Sequence, residues 1–146
     1  MGARASDLMT VGELSLRTGL SIKAIREYEA LGLIYSAGRS EGNYRLFDES
    51  ALWCARVVKE LRSLGLTIRE IKRLGDSYLS HPDEPIGPKI AAALDRAERR
   101  IEAQMNELRA VRDRIGDYRE RHACALSGCP DADLAAQDPR RARHTA

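Results

Sequence analysis

The stretch TVGELSLRTGLSIKAIREYEALGLIYSAGRSEGNYRLF, residues 10–47, decides the fold of this chain. Thr10 lies three residues before Glu13, which is the spacing of a capping box, so a first helix is predicted to begin directly after Thr10. Ser21 is placed to cap a second helix over residues 22–30, and a glycine follows each helix. Two short helices joined by a tight turn are the pattern of a helix-turn-helix.

The last part of this stretch, Ser36–Phe47, predicts a small β-hairpin. Gly38 and the pair Gly42-Asn43 are turn formers between short apolar pieces. Two such helices followed by a basic hairpin are a combination that inserts a helix into a DNA groove while the hairpin, as a wing, holds the backbone. The sequence therefore predicts an all-α head with a small β wing.

Cationic side chains fall on both parts of this pattern. Lys23 and Arg26 lie between the apolar positions of the second helix and point outward, where they can reach phosphates or the acceptor atoms of guanine. Arg39, Tyr44 and Arg45 decorate the hairpin. Charge by itself also fits a solvated surface. A basic hairpin directly after a helix-turn-helix favours DNA binding over that alternative.

Composition agrees with a mostly helical protein. Of the 146 residues, 32% are charged and 5% aromatic, and the length suits one domain with an appendage. The net charge is +2, and residues 1–75 hold the basic excess, with 12 Lys/Arg against 9 Asp/Glu. No run approaches the ~20 apolar residues of a membrane span, and the start lacks an apolar signal core, so a cytoplasmic protein is expected.

Three motifs occur in the order in which they occur in the DNA-binding head of the MerR family of transcription regulators: IREYEALGLI, GRSEGNYRLFDE and KELRSLGLTIREIKRL. The sequence resembles that head over residues 10–74. The resemblance implies six DNA contacts, three on the second helix and three on the wing: Lys23, Arg26, Tyr28, Arg39, Tyr44 and Arg45. Tyr28 is also explained as a core residue whose hydroxyl alone reaches a phosphate. Glu27 stands where the family usually has an aromatic residue, and it is assigned no DNA role.

Two further helices complete the head, which is assigned to residues 1–75. Asp48 is a plausible cap for a helix to Leu64, in which Cys54 is predicted to be a small buried hydrophobe. Thr67 and Glu70 form a second capping box at the start of a short fourth helix. Three of the five prolines fall between Gly75 and Pro88, so residues 76–88 are predicted to be a linker.

Residues 89–121 show the heptad pattern of a coiled coil. Its seam alternates steps of four and three residues: Ile90, Leu94, Ala97, Ile101, Gln104, Leu108, Val111, Ile115 and Tyr118. Two copies packed together would bury this stripe, with polar Gln104 fixing their register. A helix folded back on its own head is the alternative. The pattern leaves the orientation of the two helices open, and the family resemblance implies an antiparallel coil.

Residues 122–146 begin with a pair of cysteines in a compact loop. Cys124 and Cys129 are separated by four residues that include Gly128, and Pro130 follows. Two such thiolates can bind a soft ion, Cu(I) in near-linear geometry, or Zn(II) or Hg(II) with further ligands such as His122. They can also form a reversible disulfide, react with an electrophile, or be incidental thiols on a tail.

Metal-sensing MerR proteins carry a cysteine pair just after the dimer helix, and Cys124 and Cys129 match its position. The resemblance therefore implies a thiophilic metal site. Metal sensors usually have a serine or cysteine at the start of the dimer helix, where this chain has Ile86-Gly87-Pro88. Because this end offers no thiol, a three-cysteine site is disfavoured. The spacing also does not fit a four-cysteine iron-sulfur cluster. Residues 131–146 are predicted to be a disordered tail, and Arg140, Arg141 and Arg143 make it basic.

No catalytic constellation is present in the sequence, so a non-enzyme is predicted. The expected function is a homodimeric transcription regulator that binds a near-palindromic promoter operator and distorts it in response to an effector. The resemblance also implies work with RNA polymerase, by realigning promoter elements across an overlong spacer. Alternatives are a regulator of this type that responds to an oxidant, an electrophile or a small molecule, or to no effector, and a coiled-coil adaptor that binds protein.

Overall fold

The computed structural model of the protein describes residues 7–129 and 133–141. The chain forms two compact units, of which one ends at Arg100 and the other begins at Ile101. In chain order the elements are β1 (Met9–Thr10), α1 (Val11–Thr18), α2 (Ile22–Ala30), β2 (Gly38–Arg39), β3 (Arg45–Phe47), α3 (Glu49–Ser63), α4 (Ile68–Ser80), α5 (Gly87–Arg121), α6 (Ala123–Leu126) and a 3₁₀ turn (Leu134–Gln137). The predicted mostly helical architecture with a small sheet is confirmed.

Side-chain caps fix where the helices of the head begin, as the sequence predicts. The Thr10 hydroxyl accepts the Glu13 backbone N–H at 3.2 Å, and the Glu13 carboxylate accepts the Thr10 N–H at 2.8 Å. Ser21 caps α2 by accepting the Ala24 N–H at 3.0 Å. Each cap satisfies a donor that the first turn of a helix leaves without a partner, so each defines a start.

The hairpin is part of a three-stranded antiparallel sheet in the order β1-β3-β2. Strand β2 pairs with β3 as predicted, with Arg39 opposite Arg45. Strand β1 was not predicted, because the first element was expected to be the helix that begins directly after Thr10. Met9 pairs with Phe47, and both side chains are buried. Burial of Met9 in the core therefore fixes this end of the described chain, while residues 1–6 lie outside the described residues.

The fourth helix is longer and the linker shorter than predicted. Helix α4 continues through Gly75 to Ser80, and α5 begins at Gly87. Gly75 does not take the left-handed backbone conformation of a helix-ending glycine, and a side chain at this position would contact Leu33. Pro88 is accommodated because the first turn of a helix does not need its N–H. Only residues 81–86 remain between the two helices.

The core of the head includes the first part of α5. Ala93 and Ala97, one helical turn apart, belong to the same buried cluster as residues of β1, β3 and helices α1 to α4. Ile90 and Leu94 are half-buried. Ala97 was predicted to lie on the seam facing a second copy. Its side chain is already covered within its own chain, because small residues let α5 approach the head closely.

A carboxylate clamp joins the start of α4 to α5. The Arg100 guanidinium donates to both oxygens of Glu70 at 2.9 Å, and Arg96 lies 3.5 Å from the same carboxylate. The Glu70 side chain is 10% exposed. The hydrogen bonds from Arg100, and then from the Thr67 backbone, lower the pKa of Glu70 from 4.5 to about 2. The ionised carboxylate therefore stabilises the folded state.

Replacement of this carboxylate, Glu70→Gln, is expected to lower the free energy of unfolding at pH 7 by about 1 to 2 kcal/mol. The full pKa change is worth about 3 kcal/mol, and screening at the half-exposed arginines reduces it. Because the pKa is lower in the folded state, the stabilisation is complete above the unfolded value of 4.5 and is lost as the pH falls towards 2.

Chemical denaturation at fixed protein concentration, from pH 7 to pH 2, measures the difference between the two proteins. That difference should shrink steadily below pH 5. A difference that stays constant across the whole range would contradict the clamp. Glu60→Gln is the control, because Glu60 is an exposed carboxylate on α3 with no ion pair among the described residues.

Candidate nucleic-acid interface and cysteine loop

One face of α2 presents free cations. Lys23 and Arg26 are exposed, and neither has an ion pair or a side-chain hydrogen bond within the described part of the chain. The opposite face holds the helix in the head through Ile25 and Tyr28, which are 0% and 9% exposed. The structure thus exposes both cations to solvent, and neither has to leave an internal ion pair before it contacts a polyanion.

Tyr28 lies on the other side of the helix. Its ring belongs to the core of the head, so the explanation of Tyr28 as mainly a packing residue fits its position. A role in DNA contact is limited to the part of the side chain that reaches the surface, and it stays a prediction. Glu27, by contrast, is exposed beside the two cations.

The wing holds its first arginine in place. Arg39 donates to the carbonyl oxygen of Asn43 at 3.3 Å and to its side-chain oxygen at 3.2 Å. Asn43 can occupy this turn because its backbone takes a positive φ of 64°, which asparagine tolerates better than most residues. Tyr44 projects from the wing and is 71% exposed. A guanidinium and a phenol are therefore displayed together at the tip.

Arg45, which lies opposite Arg39 in the wing, is paired with a carboxylate of α2. Its Nη1 lies 2.8 Å from Oε2 of Glu29, whose side chain is 13% exposed, whereas Arg45 is 48% exposed. Glu29 was not among the predicted contact residues. Its position at the third residue after Arg26 is not distinctive, and only the fold brings it against the wing.

In the second unit, α5 carries an exposed apolar stripe. Its members are Ile101, Met105, Leu108, Val111, Ile115 and Tyr118, each between 40% and 69% exposed. Five of them belong to the predicted seam. Met105 was missed because the seam was counted through Gln104, although a step of four from Ile101 also reaches Met105.

An apolar groove runs beside this stripe. It is lined by Val111, Ile115 and Tyr118 from α5 and Leu126 from α6, and the cations Arg114 and Arg119 flank it. Its volume is about 440 Å³. Exposed side chains of this size in one continuous strip are typical of a surface that another chain covers.

The cysteine loop is closed by a helix-ending backbone motif. The N–H of Cys129 donates to the carbonyl of Cys124 at 3.0 Å, and the N–H of Gly128 donates to that of Ala125 at 3.2 Å. These are the two bonds of a Schellman motif, in which a glycine takes the left-handed conformation, and Gly128 has φ 84°. The motif brings the side chains at its two ends together, and here both are cysteines.

The two cysteines form a disulfide, with their α-carbons 5.3 Å apart. The Ser127 hydroxyl lies 3.7 Å from the Cys129 sulfur, and the ring of His122 packs against that of Tyr118 in a tilted arrangement, at 4.3 Å between centroids. Within residues 7–129 and 133–141, no group of three His, Cys, Asp or Glu side chains gathers as metal ligands. The predicted metal role of Cys124, Cys129 and His122 stays a prediction.

The third cysteine has a different environment. Cys54 is half-buried in α3, and burial, followed by the charge of Asp48, raises the pKa of its thiol. A raised pKa keeps the thiol protonated and poorly nucleophilic, as the prediction of a small buried hydrophobe requires. Cys54 is therefore a suitable internal control for the other two.

The tail is partly ordered, contrary to the prediction of disorder. Residues 134–137 form a 3₁₀ turn, Arg140 pairs with Asp138, and Arg141 pairs with Asp133. Both arginines nevertheless remain largely exposed, with 87% of the Arg140 side chain and 61% of the Arg141 side chain accessible to solvent. Pro130 and Arg143 lie outside the described residues. Among the described helices, none has the length and apolar character that a membrane crossing requires.

Two family descriptions match this chain. "MerR HTH family regulatory protein" matches residues 9–77, and "MerR, DNA binding" matches residues 55–118. An uncharacterised HTH-type transcriptional regulator of Pseudomonas aeruginosa is 30% identical over 126 residues, which are 86% of this chain and 92% of the relative. The overlap covers the head and the long helix together.

Other relatives are matched over a smaller part of their length. Heavy metal-dependent transcription regulator 2 of Rhizobium meliloti is 41% identical over 66 residues, 45% of each chain. The chain spans 40% of the length of a nodulation protein NolA of Bradyrhizobium.

The similarity also holds in three dimensions. The transcription regulator PbrR691 of Ralstonia metallidurans, whose crystal structure is a complex with lead(II), is 31% identical with a TM-score of 0.65. The alignment covers 77% of this chain and 85% of that one. With its winged helix-turn-helix, its long helix and this agreement in sequence, the chain belongs to the MerR family of DNA-binding transcription regulators.

Proposed function

We propose that the protein acts as a homodimer that binds a near-palindromic promoter duplex through α2 and the wing. The observation that carries this proposal is the exposed apolar stripe of α5 in a chain whose α2 displays free cations. A second copy covers such a stripe most simply, because the same surface is present on both chains and a two-fold axis pairs it with itself. The dimer then holds two heads for two half-sites.

The same arrangement gives the regulator a mechanical output. A helix of 35 residues at ~1.5 Å per residue is a rod of about 52 Å, so a small change at one end alters the separation of the heads. Bending or untwisting the duplex between half-sites involves about 1 to 6 kcal/mol, which an effector can supply. RNA polymerase at the promoter is the proposed reader of that distortion.

Transcription in vitro, with RNA polymerase and a promoter that carries the bound duplex, tests this output. The effector is expected to change transcript yield while the protein stays on the duplex. A yield that no effector changes would contradict the switch and leave the DNA binding intact.

A thiophilic metal ion at Cys124 and Cys129 is the proposed effector. Support comes from the position of the pair after α5 and from relatives named for heavy metals or solved with lead(II). The reduced pair offers two sulfur donors on one short turn, which suits Cu(I) in near-linear geometry, or Hg(II) with a further ligand. Zn(II) would need further ligands, such as His122 or groups from the partner subunit.

Reduced protein is expected to bind Cu(I) tightly, and Cys124→Ser or Cys129→Ser is expected to weaken that binding by about 100-fold or more, since each removes one of two thiolate ligands. Anaerobic titration against a competing Cu(I) chelator measures the affinity. Cys54→Ser is the matched control and should bind as the wild type does. Equal affinities in all four proteins would rule out the site.

The Schellman motif favours a second candidate effector, an oxidant. Across this motif the α-carbons of Cys124 and Cys129 are 5.3 Å apart, within the range of about 4.4–6.8 Å that is usual for disulfides. Oxidation by a low-molecular-weight disulfide would join the two sulfurs and release two reduced thiols. Titration of accessible thiols against the ratio of oxidised to reduced glutathione, read beside promoter binding, separates this candidate from metal.

A further inference from the structure

Among the described residues, the ion pair between Glu29 and Arg45 is the one salt bridge that joins α2 to the wing. Oxygen Oε2 of Glu29 is fully buried and lies 2.8 Å from the guanidinium, yet the contact lacks hydrogen-bond geometry. Among the described residues this oxygen has no hydrogen-bond donor. The carboxylate is therefore held by electrostatic attraction to Arg45 rather than by a network of its own.

Glu29 is poorly placed for the stability of its own helix. It lies in the last turn of α2, where the helix dipole disfavours a negative charge. A buried carboxylate also loses hydration that is worth several kcal/mol, and an apolar pair of similar volume is often as stable or more so. Stability alone does not account for a charged pair at this position. The effect of Glu29 on the position of Arg45 offers another explanation.

The pair fixes a side chain that would otherwise move freely. Arg45 lies opposite Arg39 in the wing, and Arg39 is held by Asn43. Both guanidiniums of the wing are thus restrained within the chain, whereas Lys23 and Arg26 on α2 are not. Arg45 remains 48% exposed, so its other N–H groups stay available to a phosphate.

We propose that Glu29 is a positioning residue, whose buried carboxylate holds Arg45 so that the wing and α2 meet the DNA backbone as one rigid surface. The inference rests on the proposed DNA binding. A guanidinium that is already in place loses less conformational entropy when it contacts a phosphate, and this increases affinity without a new contact. In this proposal Glu29 acts through Arg45, against whose guanidinium its buried oxygen Oε2 lies.

The test compares how the removal of each of two carboxylates changes the affinity for DNA. Glu27 and Glu29 lie two residues apart on α2, and Glu27 is exposed and unpaired within the described residues. Loss of a negative charge near DNA strengthens binding if charge alone matters, so Glu27→Gln should bind equally or more tightly. Glu29→Gln is expected to bind about tenfold more weakly, although it changes the net charge identically.

Binding is measured by fluorescence anisotropy of a duplex that the full-length wild-type protein selects from a random pool, at several salt concentrations. Arg45→Ala should weaken binding and reduce the slope of log affinity against log salt by about 0.9. Combining it with Glu29→Gln should add nothing, because Glu29 acts through Arg45. Thermal melting checks that each variant is folded.

Tighter binding by Glu29→Gln, or losses that add in the double variant, would overturn the positioning role and leave the DNA binding standing. If Glu29→Gln does not fold, Arg45→Lys decides the matter, since it keeps the charge and loses the planar fork. Weaker binding by Arg45→Lys supports the proposal, and wild-type affinity overturns it. A wild type that selects no duplex would instead remove the proposed function itself, and this inference with it.

Discussion

Leu108→Asp is expected to convert the protein from a dimer into a monomer at micromolar concentration. Leu108 is 69% exposed in the single chain, so the substitution should leave the folded head intact. In a two-fold dimer the aspartate appears twice in an apolar seam, and each buried, unpaired carboxylate disfavours association by several kcal/mol. The dissociation constant should therefore rise about 1,000-fold or more.

Sedimentation equilibrium measures the mass of the Leu108→Asp protein in solution. Its affinity for duplex DNA should fall when the dimer is lost. Two linked heads bind adjacent half-sites about 100-fold or more tightly than separate heads, because the second contact is made within one complex. Ala110→Asp is the control, since Ala110 is exposed and lies about 200° around the helix from Leu108. A Leu108→Asp protein that remains dimeric would show that the stripe does not form the seam.

Lys23→Ala combined with Arg26→Ala is expected to produce the largest loss of DNA affinity. Each cation is exposed on α2 and has no partner among the described residues, so neither loses an internal ion pair when it contacts DNA. If Arg26 contacts a base and Lys23 a phosphate, the first loss is about 1 to 3 kcal/mol and affects sequence preference, while the second lowers affinity for all sequences.

Anisotropy titrations with a selected duplex and with a mixed-sequence duplex measure both effects. The salt slope should fall by about 0.9 for each phosphate contact that is lost. Arg99→Ala removes an exposed cation of α5 and should leave the slope unchanged. If the double variant binds as tightly as Arg99→Ala, DNA does not bind at α2, and a coiled-coil adaptor becomes the better explanation.

Local signals in the sequence predicted the helices of the head. The capping boxes at Thr10 and Thr67 act over three residues, so their geometry follows from the sequence alone. The two-residue strand at Met9 gave no such signal, because its pairing with Phe47 joins positions far apart in the chain. The linker was predicted to begin after Gly75, but α4 continues through this residue. Gly75 does not take the left-handed conformation of a glycine that ends a helix.

The sequence predicted which types of residue form the candidate site. It did not predict which side chains they contact within the chain. The cations Lys23 and Arg26 follow from helical spacing, and the structure places them on the solvent face. The pairing of Arg45 with Glu29 depends on how the wing folds against α2, which spacing does not encode. For Cys124 and Cys129, spacing and Gly128 indicated a compact loop, whereas the two Schellman hydrogen bonds became visible only in the structure.

The central claim is that two chains, joined through α5, place two reading heads on one duplex. Selection of duplexes from a random pool by the full-length protein, followed by measurement of the mass of the complex, tests it most directly. The account predicts two inverted half-sites in the selected sequences and two chains on each duplex. A single half-site bound by one chain, or no enrichment of any sequence, would contradict it.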